Sequence, residues 1–233
     1  MKLPVSRACA VPAAVVLTLG AMTAAKADPI TNGDFQTGDL TGWTTFTTGN
    51  GTLGTGFPLV VLFDTNNDGS TSLAAQFRVG KVNGNGGAKG GGIFQSVSLF
   101  AGSLWITADI AALGGSADNA AGGFFELLLD GVVEDSHDFG SILAGASEHS
   151  TLSYYIDLPA DGTHEIRIRM TRGYTQSAST PTQYIDNVLL SGYAVHGPVI
   201  GPTSVPEPGT LSLLLISLAG LSGFGIKRRS KKD

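Results

Sequence analysis

In residues 163–170 the apolar Ile166, Ile168 and Met170 alternate with Glu165, Arg167 and Arg169. A period of two turns one face of a strand into a core and the other into water. Residues 151–158 repeat the pattern, with Leu152, Tyr154, Ile156 and Leu158 on one face. Phe124–Leu129, Asp130-Gly131 and Val132-Val133 together predict a hairpin. Its two central residues suit a type I′ turn, which needs positive φ at both. Further strands are expected near 43–48, 71–79, 93–99, 103–111 and 182–191. Turn residues separate these runs every 8 to 14 positions, and no helical period appears in the body of the chain. The pattern predicts an all-β sandwich. Residues 80–92 hold seven glycines in thirteen positions and are expected to form a surface loop or flap.

The two ends break this pattern. Lys2 and Arg7 precede an apolar run over residues 11–22, and Ala25-Lys26-Ala27 supplies small residues on either side of one position. That arrangement predicts a secretory signal over 1–27, cut by signal peptidase after Ala27 with Ala25 as the second small residue. The run is short for a membrane anchor. Cys9 lies before the run instead of after it, which argues against a lipoprotein, and it is the only cysteine of the chain. The exported body therefore has no disulfide to support it.

At the other end, Val205-Pro206-Glu207-Pro208-Gly209 leads into an uncharged apolar stretch over 210–226, closed by Lys227-Arg228-Arg229 and Lys231-Lys232. Seventeen helical residues reach about 26 Å, at the short end for a bilayer span. The basic cluster orients such a span with its end in the cytoplasm. The order of these parts over 205–232 resembles the PEP-CTERM sorting signal. The resemblance implies recognition of Pro206, Glu207 and Pro208 by an exosortase, with Arg228 and Arg229 as the basic end. It also implies transient insertion of 210–226 in the inner membrane of a Gram-negative bacterium that secretes exopolysaccharide. The destination is then the cell surface or extracellular matrix. Residues 192–204, with three glycines and two prolines, form the expected tether.

The body, 28–191, carries a second resemblance. Residues 32–43, from Asn32-Gly33-Asp34-Phe35 to Gly42-Trp43, are similar to the opening strand and turn of galactose-binding-like jelly rolls, common among carbohydrate-binding modules. Tyr184-Ile185-Asp186-Asn187-Val188 resembles their last strand. The resemblance implies that first and last strands pair and that a structural calcium lies beside them, on Asn32, Asp34, Gln36 and Asp186. Gln36 stands where the family usually has Glu, which removes one carboxylate from that set. The alternative reading has Asp186 accepting backbone N–H bonds at a strand end.

Charge narrows the partners. Residues 28–205 hold 6 Lys or Arg against 17 Asp or Glu, a net charge of −11, where the whole chain carries −5. Such a body repels nucleic acid and anionic lipid. Catalytic patterns are weak. Gly49-x-Gly51-x-x-Gly54 is not followed by a helical pattern, as a dinucleotide site requires. Asp64-x-Asn66-x-Asp68-Gly69 lacks the closing Glu of a calcium loop and is expected to be a hairpin turn. In 145–149, His149 replaces the second glycine of a nucleophile elbow. The four histidines are scattered, and no pair of carboxylates stands out for glycoside hydrolysis. The expectation is a non-enzymatic exported protein that binds or packs within exopolysaccharide. Two alternatives remain: a structural or adhesion component without a defined sugar ligand, and a polysaccharide-active hydrolase.

Overall fold

A computed structural model describes residues 30–117 and 120–193. The signal segment 1–27, the tether beyond Tyr193 and the sorting tail 205–232 with its apolar stretch 210–226 lie outside the described residues. Among the described residues there is no helix. The strands are β1 (Thr44–Thr47), β2 (Gly51–Thr52), β3 (Leu59–Phe63), β4 (Ser72–Phe77), β5 (Gly80–Lys81), β6 (Lys89–Leu99) and β7 (Gly102–Leu113). They continue with β8 (Ala120–Ala121), β9 (Phe124–Leu129), β10 (Val132–Asp138), β11 (Ser141–Ile142), β12 (Ser147–Leu158), β13 (Gly162–Arg172) and β14 (Thr182–Tyr193).

Two five-stranded antiparallel sheets carry the fold, ordered β1-β6-β13-β9-β10 and β12-β7-β14-β4-β3. Within them, β4 pairs with β14, β6 with β13, β7 with β12 and β9 with β10. Taken along the chain, these eight strands pair first with last, second with seventh, third with sixth and fourth with fifth. That is one long antiparallel hairpin rolled across two sheets, the jelly roll. The described body is all-β, as its alternation predicts.

Strand β13 shows how sequence becomes layer. Ile166, Ile168 and Met170 are fully buried between the sheets. Their partners in the core include Ile93 and Val97 of β6, Phe125 and Leu127 of β9, and Ile106, Ile110 and Ile185 of the facing sheet. Burying one side chain of this size is worth about 1.5–3 kcal/mol, so the phase of a strand that buries three is strongly set. The β9–β10 hairpin closes on Asp130 (φ 51°) and Gly131 (φ 82°), both left-handed as a type I′ turn requires. Asp130 also accepts the Glu165 N–H at 2.8 Å, tying the turn to β13.

Three expectations need correction. The opening segment forms turns over residues 30–43 instead of a strand. It meets the last strand through one backbone bond, from Val188 N–H to the Gly33 carbonyl (2.9 Å). The glycine-rich run 80–92 is loop only over 82–88, because Gly80–Lys81 is β5 and Lys89 begins β6. Glycines belong in that part of β6 because the neighbouring backbone comes too close for a side chain. A Cβ at Gly92 would lie 1.9 Å from the Ile168 carbonyl oxygen. Finally, the last strand runs on to Tyr193, two residues past the expected edge at 191.

The inward phase of β13 is directly testable. Ile168→Asp puts an unpaired carboxylate in the core and should cost on the order of 4 kcal/mol or more. Arg167→Ala, one residue along, loses a half-exposed ion pair and ring contacts worth about 1 kcal/mol. Thermal melts of the two variants should therefore differ widely, and equal melting temperatures would contradict the strand phase.

Candidate functional site

The same alternation that buries Ile168 sends Arg167, Arg169 and Thr171 to the outer face of the first sheet. Register then decides what they meet. Arg169 stands opposite Glu126 of β9 on one side and Gly92 of β6 on the other. The guanidinium grips the carboxylate with two bonds, Nε to Oε2 at 2.5 Å and Nη2 to Oε1 at 2.7 Å. These hydrogen bonds to the Glu126 carboxylate hold the Arg169 pKa above its ordinary value. Thr171 faces Gly90. A hollow lies beside this pair; Gly90 and Gly92 do not line it, since a Cβ at either would meet the β13 backbone.

Phe124, Thr48 and Lys89 wall that hollow, giving a cleft of about 360 Å³ that Glu126, Arg169 and Thr171 also line. Its volume falls at the lower end of ligand sites. Phe124 opens β9, lines the cleft and is 37% exposed, which leaves aromatic surface uncovered there. Thr48 is held in place by its hydroxyl, which accepts the Gly90 N–H at 3.0 Å. One row further along the sheet, Arg167 lies over the rings of Phe46 (4.3 Å) and Phe94 (5.1 Å) and pairs with Glu165 at 2.8 Å. The cleft thus offers one open aromatic ring, fixed charges and hydroxyls, without a nucleophile held by a base.

A second aromatic surface lies on the opposite sheet. Trp105 of β7 and Tyr155 of β12 are register partners with ring centroids 5.2 Å apart, and they are 48% and 45% exposed. The Tyr155 hydroxyl donates to Asp157 (3.1 Å), and the Ser103 hydroxyl donates to the same carboxylate oxygen. Phe125 and Trp43 belong to the core, where the Trp43 indole N–H donates to the Asn32 carbonyl at 3.0 Å.

The four residues expected around a calcium ion are only partly brought together. Asp186 is fully buried and accepts the Ser72 hydroxyl and the Asn187 N–H. Asp109 is close by, held by Thr151 and by the Asn187 side chain at 2.9 Å. The Asp34 charge also reaches Asp186. Asn32 and Gln36 turn inward on their own loop. The Asn32 side chain bonds Asp39, Thr41 and the Thr37 N–H, and the Gln36 amide donates to the Asp34 carbonyl. Among the described residues no group of three or more His, Cys, Asp or Glu is arranged to hold a metal ion.

The other motifs resolve into local structure. Both oxygens of Asp64 accept backbone N–H groups, from Asp68 (3.1 Å) and Gly69 (3.0 Å), closing the β3–β4 turn. Ser147 begins the extended strand β12, where the sharp turn of a nucleophile elbow is absent. Residues 49–54 hold β2 and turns instead of a helix start. The cleft residues Lys89, Phe124, Glu126 and Arg169 escaped the sequence reading. Their outward phase was available, but the register that joins them was not.

Comparison with known proteins bears on both parts of the chain. Residues 204–229 match the PEP-CTERM protein-sorting motif. The chain is thus an exported β-sandwich protein, and it carries the PEP-CTERM sorting motif at its end. That motif, with Pro206, Glu207, Pro208, Arg228 and Arg229, lies outside the described residues, as do Ala25 and Ala27. No curated protein matches the chain in sequence. Among solved structures, the chain is similar to TmCBM61, reported with β-1,4-galactotriose, at 15% identity and TM-score 0.45, covering 72% of this chain and 100% of that one. It is also similar to the C-terminal family 22 carbohydrate-binding module of Clostridium thermocellum Xyn10B, at 14% identity and TM-score 0.41, over 74% and 100% of the two chains. A family 16 carbohydrate-binding module gives 16%, 0.39, 71% and 100%. The strand pairing establishes the jelly roll independently of these likenesses.

The buried Asp186 makes a pH prediction. Burial pushes its pKa from 3.8 up to about 6; Ser72 and Asn187 oppose the rise, while the charges of Asp109 and Asp34 add to it. A carboxylate with a raised pKa binds its proton more tightly in the folded than in the unfolded chain. Stability therefore falls as pH rises from about 4 to about 6 and stays lower above it. With EDTA present, the contribution should be about 2–3 kcal/mol. Melting curves across this window should show it, and Asp186→Asn should flatten it. A slope unchanged in that variant would refute the assignment.

Proposed function

We propose that this protein is a non-enzymatic, exported glycan-binding protein, delivered by an exosortase to the cell surface or matrix, where its jelly roll engages exopolysaccharide. The observation that carries the reading is the cleft on the first sheet, with the open ring of Phe124 beside the fixed Glu126–Arg169 pair. A sugar ring presents C–H groups on its faces and hydroxyls around its rim. An aromatic ring covers the first, and an immobilised carboxylate and guanidinium bond the second. The groups are anchored by cross-strand register, so they keep their places without a ligand and little ordering is needed on binding. The sorting motif supports the destination, and the neighbouring carbohydrate-binding modules are in keeping with the ligand class.

Processing follows the same proposal. The secreted form begins at Asp28, after signal peptidase, and has lost the basic end at Lys231-Lys232. Calcium is a separate proposal, now resting on Asp34 and Asp186 alone. EDTA would then lower the melting temperature of the wild type but not that of Asp186→Asn, and an unchanged wild type would leave Asp186 as a hydrogen-bond acceptor only.

The binding reading is tested on a glycan array with the secreted protein. Wild type should bind one polysaccharide class saturably, and Phe124→Ala should weaken it roughly five- to 150-fold, since ring stacking is worth about 1–3 kcal/mol by analogy with aromatic pairs and stacked bases. Binding lost in Trp105→Ala but kept in Phe124→Ala would move the site to the opposite sheet. Absence of saturable binding to any glycan contradicts the proposal and leaves a matrix role without a sugar ligand.

A further inference from the structure

The placement of positive charge says what kind of sugar the cleft suits. Residues 28–205 hold six cations, Arg78, Lys81, Lys89, Arg167, Arg169 and Arg172, against 17 acids. Two of them are buried in structural work. Arg172 bonds the Ala121 carbonyl at 2.7 Å and the Val79 carbonyl at 3.2 Å, and Lys81 bonds the carbonyls of Gly84 and Gly86 at 3.3 and 3.2 Å. Arg78 lies over the Phe57 ring at 4.8 Å. The other three, Lys89, Arg167 and Arg169, gather at the cleft and the row beside it.

Their charges are not equally matched. Glu165 offsets Arg167, and Glu126 offsets Arg169. Lys89 lines the cleft and makes no side-chain hydrogen bond or ion pair among the described residues. Arg169 commits Nε and Nη2 to Glu126, so no carboxylate bonds its Nη1. Among its lining residues the cleft therefore holds a surplus of one positive charge, with Asp138, the register partner of Phe124 on β10, outside that lining and accepting the Gly140 N–H. At physiological salt the field of the distant acids is screened beyond about 8 Å. A ligand in the cleft meets the local surplus more than the overall charge.

Resting on the glycan-binding reading above, we propose that the cleft selects an acidic sugar, with Lys89 as the specificity residue for its carboxylate. The sugar ring lies on Phe124, and its carboxylate comes to the Lys89 ammonium and the Nη1 side of Arg169. Hydroxyls remain for Glu126 and Thr171. A neutral sugar leaves the ammonium without an anionic partner, so it forgoes a charge-assisted bond that an acidic sugar makes. Neighbouring acidic units along a polymer meet the acidic remainder of the domain, which confines binding to this one face.

The test compares the secreted protein on polygalacturonate and alginate with the methyl esters of the same polymers, and on neutral galactan and xylan. Wild type should bind the acidic forms at least ten-fold more tightly than the esters in dilute buffer. Added salt should shrink the preference. Lys89→Gln should bring the two affinities to within about two-fold of each other, and Lys89→Arg should restore the gap. Saturable binding to neutral polymers or esters without a preference for the acids would overturn this inference and leave the glycan-binding reading standing. Failure to bind any of these polymers would overturn this inference, and only a glycan array without saturable binding would remove the glycan-binding reading as well. A preference for the acids that survives Lys89→Gln would overturn the role of Lys89.

Discussion

Ile166, Ile168 and Met170 are fully buried between the two sheets, and a strand that buries them must turn Glu165, Arg167 and Arg169 the other way. The rest of the molecule depends on this. A slip of one residue would drive three charged groups into the core, so the phase of β13 is held by several kcal/mol of burial. Because β13 lies between β6 and β9, its phase sets what stands on their outer faces too. Arg169 meets Glu126 and the bare position at Gly92 because the core demands it. The cleft is in this sense a by-product of packing, furnished with charge.

The sandwich is not apolar throughout, and its polar interior lies where the roll closes. β4 and β14, the first and last of the eight strands, pair over only three residues, from Ala75 to Phe77. Past that point Asn187 adopts a left-handed φ of 48°, the register with β7 shifts, and the opening turn brings Gly33 against Val188. Gln183 holds the other side of the closure, accepting the Val79 N–H at 2.9 Å and donating to the Gly122 carbonyl at 2.7 Å. Arg172 adds its bonds to Val79 and Ala121, and burial without a carboxylate partner lowers its pKa to about 10. These groups are costly to bury, and each is bonded, which suits a role in specifying one closure of the sheets.

Where the chain alternated, the sequence was sufficient. The strands around Ile168 and Leu152 and the Asp130-Gly131 hairpin appear as read, because period two and turn chemistry are local properties. β3, Leu59–Phe63, was missed since its apolar run does not alternate and its edge position leaves it only partly buried. The start of β6 carries no strand signal in the sequence, because glycine has no pattern, although its backbone is held in the sheet by β13 and β1. The cleft was illegible for a deeper reason. Glu126 and Arg169 are 43 positions apart, and only the pairing of β9 with β13 makes them neighbours. Trp105 gave no hint of exposure until β12 placed Tyr155 beside it.

On the proposed reading, export, sorting motif and cleft fit one picture, in which a domain outside the cell holds an acidic polysaccharide on one face and is otherwise repelled by it. The most direct measurement is a two-dimensional amide and side-chain NMR titration of the secreted protein with a defined acidic oligosaccharide. The account predicts shifts confined to Lys89, Phe124, Glu126, Arg169 and Thr171 and their strand neighbours, with the Trp105 indole signal unmoved. Shifts centred on Trp105 and Tyr155, with the first sheet silent, would contradict it.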